Sequence, residues 1–530
     1  MRTRLLGALA ALAVTVATAV ATAPTAQAVG PDRLPVTITN SSGRAEAVYV
    51  YVLGTNLSTG RLGYVNAAGT FTAWPAGSNP PSPAPDVSIA GPGNGGSTTI
   101  QVPRGISGRI YFALGEKLRF FLTPDGLVQP APWAAGDANQ NILFDWSEFT
   151  YNDAGLWLNS SQVDMFAVPH TVTVTDAAGT RRSGALVADG RDSTINGIAA
   201  QPGWASTMVR RSDGTVLRVL APGKAAGAGL LSSTYLDPYI SSAWGAYASK
   251  TLTVVPFADQ PGTKYFGRTS GTVMTFTNAS GAQVASFTRP SSADVWGCDG
   301  ALHAPNDLVV GPIARTLCAA LNRGTLGTVD TQPSTDASAF YRSNPTNQYA
   351  RIIHANMADG KAYAFAFDDV GNFESLVNAG SPSAAGLVIQ PFTGGGGTTP
   401  PPAGGGSLTN ANGMCLDNNA QSTANGNKVQ IWGCNGTVAQ QWTFVQAGTT
   451  LHVQGKCLDI AGGGTANGTK VQLWDCNTTG AQVWIPQNGG YYNPASNRCL
   501  DDPAASTTAG TQVQIWDCNG SSAQKWTLHS

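Results

Sequence analysis

The chain has 530 residues, enough for two or three domains, and 42% of them are hydrophobic, so sizeable cores are within reach. Charged residues make up only 12% and the formal net charge is -1, which leaves no basic stripe to hold nucleic acid or an anionic membrane surface. With 13 Trp and 14 Tyr over so little charge, the chain suits an uncharged, hydroxyl-rich partner whose C–H faces stack on aromatic rings, a carbohydrate above all.

At the N-terminus Met1-Arg2-Thr3-Arg4 is basic, Leu5 to Val20 is apolar and small, and Ala26-Gln27-Ala28 fits an A-x-A cleavage site. A secretory signal peptide over residues 1–28 is expected, leaving a secreted, extracellular chain with no membrane attachment. Short strands separated by turn residues follow, at 36–39, 48–53, 98–102, 109–114, 144–150, 163–168 and 171–175. Gly91 to Gly96 matches G-x-G-x-x-G by letter, but strand-like sequence rather than a helix follows, so no phosphate cradle is implied. After Gly190 helical spacing appears: Val309, Ile313, Leu317 and Leu321 recur every four residues, and Tyr349, Ile352, Ile353 and Asn356 follow the i, i+3, i+4 pattern. Residues 237–249 read as a third helix. A β-rich first lobe, about 34–185, and a mixed α/β lobe, about 186–392, would leave a groove between them for a ligand.

Residues 393–407, TGGGGTTPPPAGGGS, have nothing to bury and read as a linker. Beyond it, over 408–530, one pattern occurs three times at an interval of 42 residues. Cys-Leu-Asp starts at Cys415, Cys457 and Cys499; Gln-x-Trp closes on Trp432, Trp474 and Trp516, and again on Trp442, Trp484 and Trp526. A fixed period means three supersecondary units that bury their apolar faces against one another. The repeat also pairs the cysteines, Cys415 with Cys434, Cys457 with Cys476 and Cys499 with Cys518, leaving Cys298 for Cys318. Each bond closes a loop of about 20 residues and contributes roughly 3 kcal/mol. Without a C-x2-C doublet or clustered histidines, no metal and no cofactor is implied.

The usual nucleophile and metal motifs are missing: no G-x-S-x-G, no H-E-x-x-H and no P-loop occurs, and the five histidines are scattered. Carboxylates remain. Read as a strand, Phe144 to Asn152 puts Trp146, Glu148, Thr150 and Asn152 on one face, an aromatic beside three hydrogen-bonding groups. A sugar could lie along it. Asp164 follows in apolar company, and an acid and a base about 6.5 to 9.5 Å apart could hydrolyse a glycosidic bond with inversion. Whichever of the two is the acid would have to hold a proton near neutral pH, which burial or proximity to the other could bring about.

The segment FDWSEFTYNDAGLWLNSSQVDMFAVP, with the opening LPVTITN, resembles glycoside hydrolase family 64, the laminaripentaose-producing β-1,3-glucanases with a thaumatin-like barrel. The resemblance covers residues 34–392. It implies an inverting endo-hydrolase of β-1,3-glucan with Glu148 as general acid and Asp164 as general base. It also implies glucan contacts at Thr150, Asn152 and Trp157, and at Ser161, where the family carries Thr.

The three repeats resemble the ricin-type β-trefoil lectin, carbohydrate-binding module family 13. A period in the forties also suits propeller blades, but propellers have at least four. In that family Trp442, Trp484 and Trp526 correspond to core positions, while each copy's sugar position uses the aspartate of Cys-Leu-Asp and the aromatic before the second cysteine. These are Asp417, Gln430, Trp432 and Asn435; Asp459, Gln472, Trp474 and Asn477; Asp501, Gln514, Trp516 and Asn519. Ala439, Ala481 and Ala523 stand where sugar-binding copies often carry Asn, which removes a polar contact. The expected whole is a monomeric multidomain protein that cuts a neutral polysaccharide and is tethered to it. A non-catalytic thaumatin-like glucan-binding or antifungal protein, and a hydrolase acting on another neutral polysaccharide, are the alternatives.

Overall fold

Strand Arg33–Asn40 buries every second residue, Leu34, Val36 and Ile38 among them, and Ser97–Pro103 beside it does the same through Ile100 and Val102. Period-two burial of this kind is what makes a run of β-branched residues settle as one face of a sheet. These strands belong to a five-stranded sheet in the order Gly179–Ser183, His170–Asp176, Ala384–Ile389, Arg33–Asn40, Ser97–Pro103. A larger sheet runs Leu376–Ala379, Gly155–Ser160, Leu143–Asn152, Ile106–Leu114, Val48–Asn56, Leu62–Val65, Phe71–Ala73. Their inner faces share one core containing Val50, Ile110, Phe112, Leu158, Val172 and Leu387. This is the β-rich barrel. The computed structural model describes residues 30–187, 190–392, 406–445, 450–477, 479–487 and 489–529. The expected signal peptide and residues 393–405 of the expected linker lie outside them.

The chain divides into two compact units, the first ending near Thr393 and the second running to Ser530. Within the first, a mixed lobe packs helices Asp237–Ala246, Ser292–Gly297 and Val310–Asn322 on a five-stranded sheet built from Leu252–Val254, Tyr265–Ser270, Val273–Thr277, Gln283–Thr288 and Thr331–Gln332. It has its own core, which includes Ile240, Trp244, Phe276, Leu317 and Leu321. Helix 310–322 starts where the Asp307 carboxylate accepts the amides of Val309 and Gly311, each at 2.9 Å. A disulfide joins Cys318 on this helix to Cys298, which follows helix 292–297. Two strands depart from the expected lobe division. Ala384–Ile389 pairs in parallel with Arg33–Asn40, and Leu376–Ala379 pairs with Gly155–Ser160, so the end of the stretch assigned to the α/β lobe completes the barrel.

The second unit is a β-trefoil. Leu416, Leu458 and Leu500, with Ile431, Leu473 and Ile515, fill its core beside Trp442, Trp484 and Trp526. Each of these tryptophans donates its indole N–H to the carbonyl of Leu416, Leu458 or Leu500, at 2.8, 2.9 and 3.1 Å, which satisfies the polar end of a buried ring. Disulfides Cys415–Cys434, Cys457–Cys476 and Cys499–Cys518 close one loop in each repeat.

Candidate active site

Strand Leu143–Asn152 runs antiparallel between Ile106–Leu114 and Gly155–Ser160, and register decides which side chains meet. Glu148 stands opposite Arg109 and Asn159, Thr150 opposite Ser107 and Trp157, and Trp146 opposite Tyr111. Residues directly opposite share a face, which is partly open at Arg109, Glu148, Ser107, Thr150 and Trp157 but closed where Trp146, Tyr111 and Asn159 are buried, so Trp146 supports the face from below and is not its sugar-facing aromatic. The other face, with Asp145, Ser147, Phe149 and Tyr151, is buried. Thr150 Oγ1 lies 2.8 Å from Ser107 Oγ. Asn152 uses its Oδ1 to accept the Ala154 amide at 2.8 Å, shaping the turn into the next strand. Trp157 is partly exposed beside Thr150 and opposite Asn378, whereas Ser161 is buried, its hydroxyl without a hydrogen-bond partner among the described residues.

Asp164 comes from the loop that leaves strand 155–160. The loop is held by Gln162, which donates to Ser160 Oγ at 2.8 Å, accepts the Tyr363 amide at 3.0 Å and takes the Tyr349 hydroxyl on its carbonyl at 2.6 Å. The Asp164 carbonyl accepts the Ala221 amide at 3.1 Å, immediately before helix Pro222–Gly227. The segment just after Asp164 is anchored by Asp145 from beneath the sheet. One Asp145 oxygen accepts the amides of Ala167 and Val168 at 3.0 Å each, and the other accepts that of Trp146 at 3.0 Å. Burial pushes the Asp145 carboxyl up to about 7 against those donors.

Arg109 brings the two acids together. Its Nε and Nη2 approach Glu148 Oε1 at 3.1 and 3.0 Å, and the same Nη2 lies 3.6 Å from Asp164 Oδ2. The two carboxylate oxygens are thus no farther apart than those last two distances together. The guanidinium sits 4.7 Å over the Trp146 ring and donates to the Tyr111 hydroxyl at 3.4 Å. Burial works against its charge, but Tyr111, Glu148 and Asp164 outweigh burial and raise its pKa further. A second cation, Lys224 of helix 222–227, reaches Asp164 Oδ1 at 3.2 Å and stacks 4.5 Å over Trp133. Two carboxylates, 29% and 14% exposed at the side chain, therefore face two cations in one place. The sequence singled out both acids and neither cation. Arg109 and Lys224 come from separate elements and carry no motif.

In the trefoil the same network occurs in each copy. Asp417 is buried and accepts the side-chain amides of Gln430 and Gln440, both at 3.0 Å. Asp459 does so from Gln472 and Gln482, and Asp501 from Gln514 and Gln524. Both oxygens of each aspartate already hold protein donors, so a sugar hydroxyl would have to share them. Asn435 and Asn477 cap local turns through Thr437 and Thr479, and Asn519 does so through Ser521. What each copy exposes is its indole: Trp432, Trp474 and Trp516 are 43%, 37% and 39% exposed. His452 packs against the Cys457–Cys476 disulfide, and burial pulls its imidazole down to about 4. Those sulfurs are bonded to each other and offer no thiolate to a metal.

The family profile described as beta-1,3-glucanase, glycoside hydrolase family 64, matches residues 32–389, and that of the ricin-type beta-trefoil lectin domain matches 404–526. Two relatives named glucan endo-1,3-beta-glucosidase, from Arthrobacter sp. (strain YCWD3) and Cellulosimicrobium cellulans, are each 45% identical over 435 residues, 79% of this chain and 78% of theirs. A solved laminaripentaose-producing beta-1,3-glucanase in complex with laminaritetraose is 52% identical with a TM-score of 0.66, over 68% of this chain and 99% of that one. The beta-1,3-glucanase domain from Clostridium beijerinckii, 22% identical, shares the fold with a TM-score of 0.58 over 68% of this chain and 98% of that one.

Proposed function

The chain belongs to glycoside hydrolase family 64 and carries a ricin-type lectin domain, and on that premise we propose that this endo-1,3-β-glucanase is secreted, inverts the anomeric centre and releases laminaripentaose. The observation that carries the proposal is the shared guanidinium: Arg109 touches Glu148 and Asp164 at once, on a face that also offers Thr150 and Trp157, while Trp146 is buried beneath the guanidinium. Glu148 gives its proton to the glycosidic oxygen as the C1–O bond breaks. Asp164 takes a proton from the water that attacks C1 from the opposite side, and solvent returns that proton to Glu148. Lys224 and Arg109 compensate the charge of Asp164 throughout. Trp157, Thr150 and Asn152 contact the glucan farther along the face, and Ser161 is the family's further contact, buried at the start of the loop that carries Asp164.

Residues 1–28 are removed on export, 34–392 form the catalytic domain, 393–407 link, and 408–530 tether the enzyme to polysaccharide. Tethering raises the effective concentration of the catalytic site at an insoluble chain without new catalytic contacts. The test is digestion of curdlan and laminarin with product size and anomeric configuration followed by proton NMR. Release of the α-anomer first, in products dominated by the pentaose, is expected. An initial β-anomer would refute inversion, and no hydrolysis of either glucan would refute the substrate.

A further inference from the structure

The three exposed indoles look alike in sequence, yet their surroundings differ at one rim. Each ring lies over a glycine in the loop of another repeat: a β-carbon on Gly426 or Gly468 would sit 3.8 Å from Cζ3 of Trp474 or Trp516, and one on Gly510 3.7 Å from that of Trp432. All three glycines hold positive φ, so the loop turns tightly beneath the ring. Beside Trp474 and Trp516 the loop is also clamped. Asn425 donates to Asp475 Oδ2 at 2.7 Å and accepts the Asp475 amide at 2.9 Å, while Lys456 bonds both residues. In the third copy Asn467 and Asp517 repeat the exchange at 2.7 and 2.8 Å, and Arg498 Nη1 lies 3.2 Å from Asp517 Oδ1. The positions equivalent by the 42-residue period in the first copy are Ala509, Gly433 and Met414. No such clamp can form there.

We propose that the trefoil binds neutral glucan unequally, at the Trp474 and Trp516 faces, with the Trp432 face a weak site. A pyranose stacked on an indole turns its hydroxyls outward around the ring edge, where they need acceptors and donors. Asp475 and Asp517, with side chains 64% and 62% exposed, supply acceptors at the edge and keep lone pairs free after the clamp bonds. Lys456 and Asn425, or Arg498 and Asn467, supply donors. The clamp also fixes the backbone following each tryptophan, so less ordering is left to accompany binding. Around Trp432 the three equivalent positions offer a glycine, an alanine and a methionine, and Lys428 reaches the Gly510 carbonyl beneath the ring at 3.1 Å without any carboxylate at the rim among the described residues.

The inference rests on the tether reading, and one experiment separates the two. Retention on curdlan is measured for the full chain carrying Glu148→Gln, which keeps the polymer from being digested. A version also carrying Trp432→Ala, Trp474→Ala and Trp516→Ala sets the baseline held by the catalytic groove. Trp474→Ala and Trp516→Ala alone should each weaken retention about fivefold or more, and Trp432→Ala less than about twofold, as expected when a few anchors dominate. Equal losses from all three, or the largest loss from Trp432→Ala, overturn the inequality alone. A triple variant retained as well as its parent overturns the tether, and the inference with it. In the opposite direction, Met414→Lys with Gly433→Asp and Ala509→Asn should strengthen retention. Unchanged retention by that folded variant contradicts the role of the clamp.

Discussion

Arg109 is the residue on which the acid–base pair depends most without itself exchanging a proton. Arg109→Met keeps the aliphatic stem but removes a guanidinium that approaches Glu148 at 3.0 and 3.1 Å and Asp164 at 3.6 Å. With an effective dielectric near 20, a contact at that range is worth about 5 kcal/mol in gross attraction. Desolvation takes back most of it, and the groups are about a quarter exposed, so the net stability loss should be about 1 to 3 kcal/mol. The catalytic effect should exceed the structural one, because both carboxylates lose the partner that fixes their rotamers. General acid–base assistance contributes about 10²- to 10⁴-fold, and misplacing both groups should forfeit about a hundredfold in kcat. KM should stay within about threefold, since the glucan-facing residues remain. Arg109→Lys keeps the charge without the planar fork and should fall between. The assay is the initial rate of reducing-end release from laminarin, alongside circular dichroism. Arg109→Met with near-normal kcat and a native spectrum would refute the reasoning.

Asp145 makes stability depend on pH. Its folded pKa, about 7, lies above the ordinary 3.8, so the folded state binds the proton more tightly than the unfolded one. The stabilisation is complete below about pH 4 and fades as pH rises to about 7, by at most about 4 kcal/mol. The thermal midpoint of the parent relative to Asp145→Asn should therefore be highest in acid and decline towards pH 7; a difference that grows with pH contradicts this. Replacing Cys298 and Cys318 by serine should cost the catalytic unit about 3 kcal/mol in urea denaturation. Trp442→Ala removes a fully buried indole and its 2.8 Å bond to Leu416. It should destabilise the trefoil by about 3 to 5 kcal/mol, lowering retention on curdlan towards the baseline held by the catalytic groove while laminarin hydrolysis persists.

Much of this was legible in the sequence wherever a local period governs burial. Trp146, Glu148, Thr150 and Asn152 share a face because strand side chains alternate, and the helices at 310–322 and 348–356 follow their apolar spacing. The 42-residue period likewise gave away three repeating units, and the lectin resemblance they carry marked Trp442, Trp484 and Trp526 as core. Contacts set by pairing between distant segments were not legible. Arg109 meets Glu148 only because strands 106–114 and 143–152 pair in that register, and Lys224 arrives from a helix with no motif. The return of strands 376–379 and 384–389 to the barrel is non-local in the same way. In the trefoil, sequence matching marked Asp417, Asp459 and Asp501 as open acceptors. Folding brings a glutamine amide to each oxygen, which shifts attention to the exposed rings and their rims.

The central claim is that Glu148 and Asp164 act together as acid and base. The most direct measurement is the initial rate of laminarin hydrolysis by Glu148→Gln and Asp164→Asn, each shown to be folded by circular dichroism. Neither amide can carry the proton, so each variant should lose at least about 10²- to 10⁴-fold in kcat. Either variant turning over laminarin at near the parent rate would contradict the account.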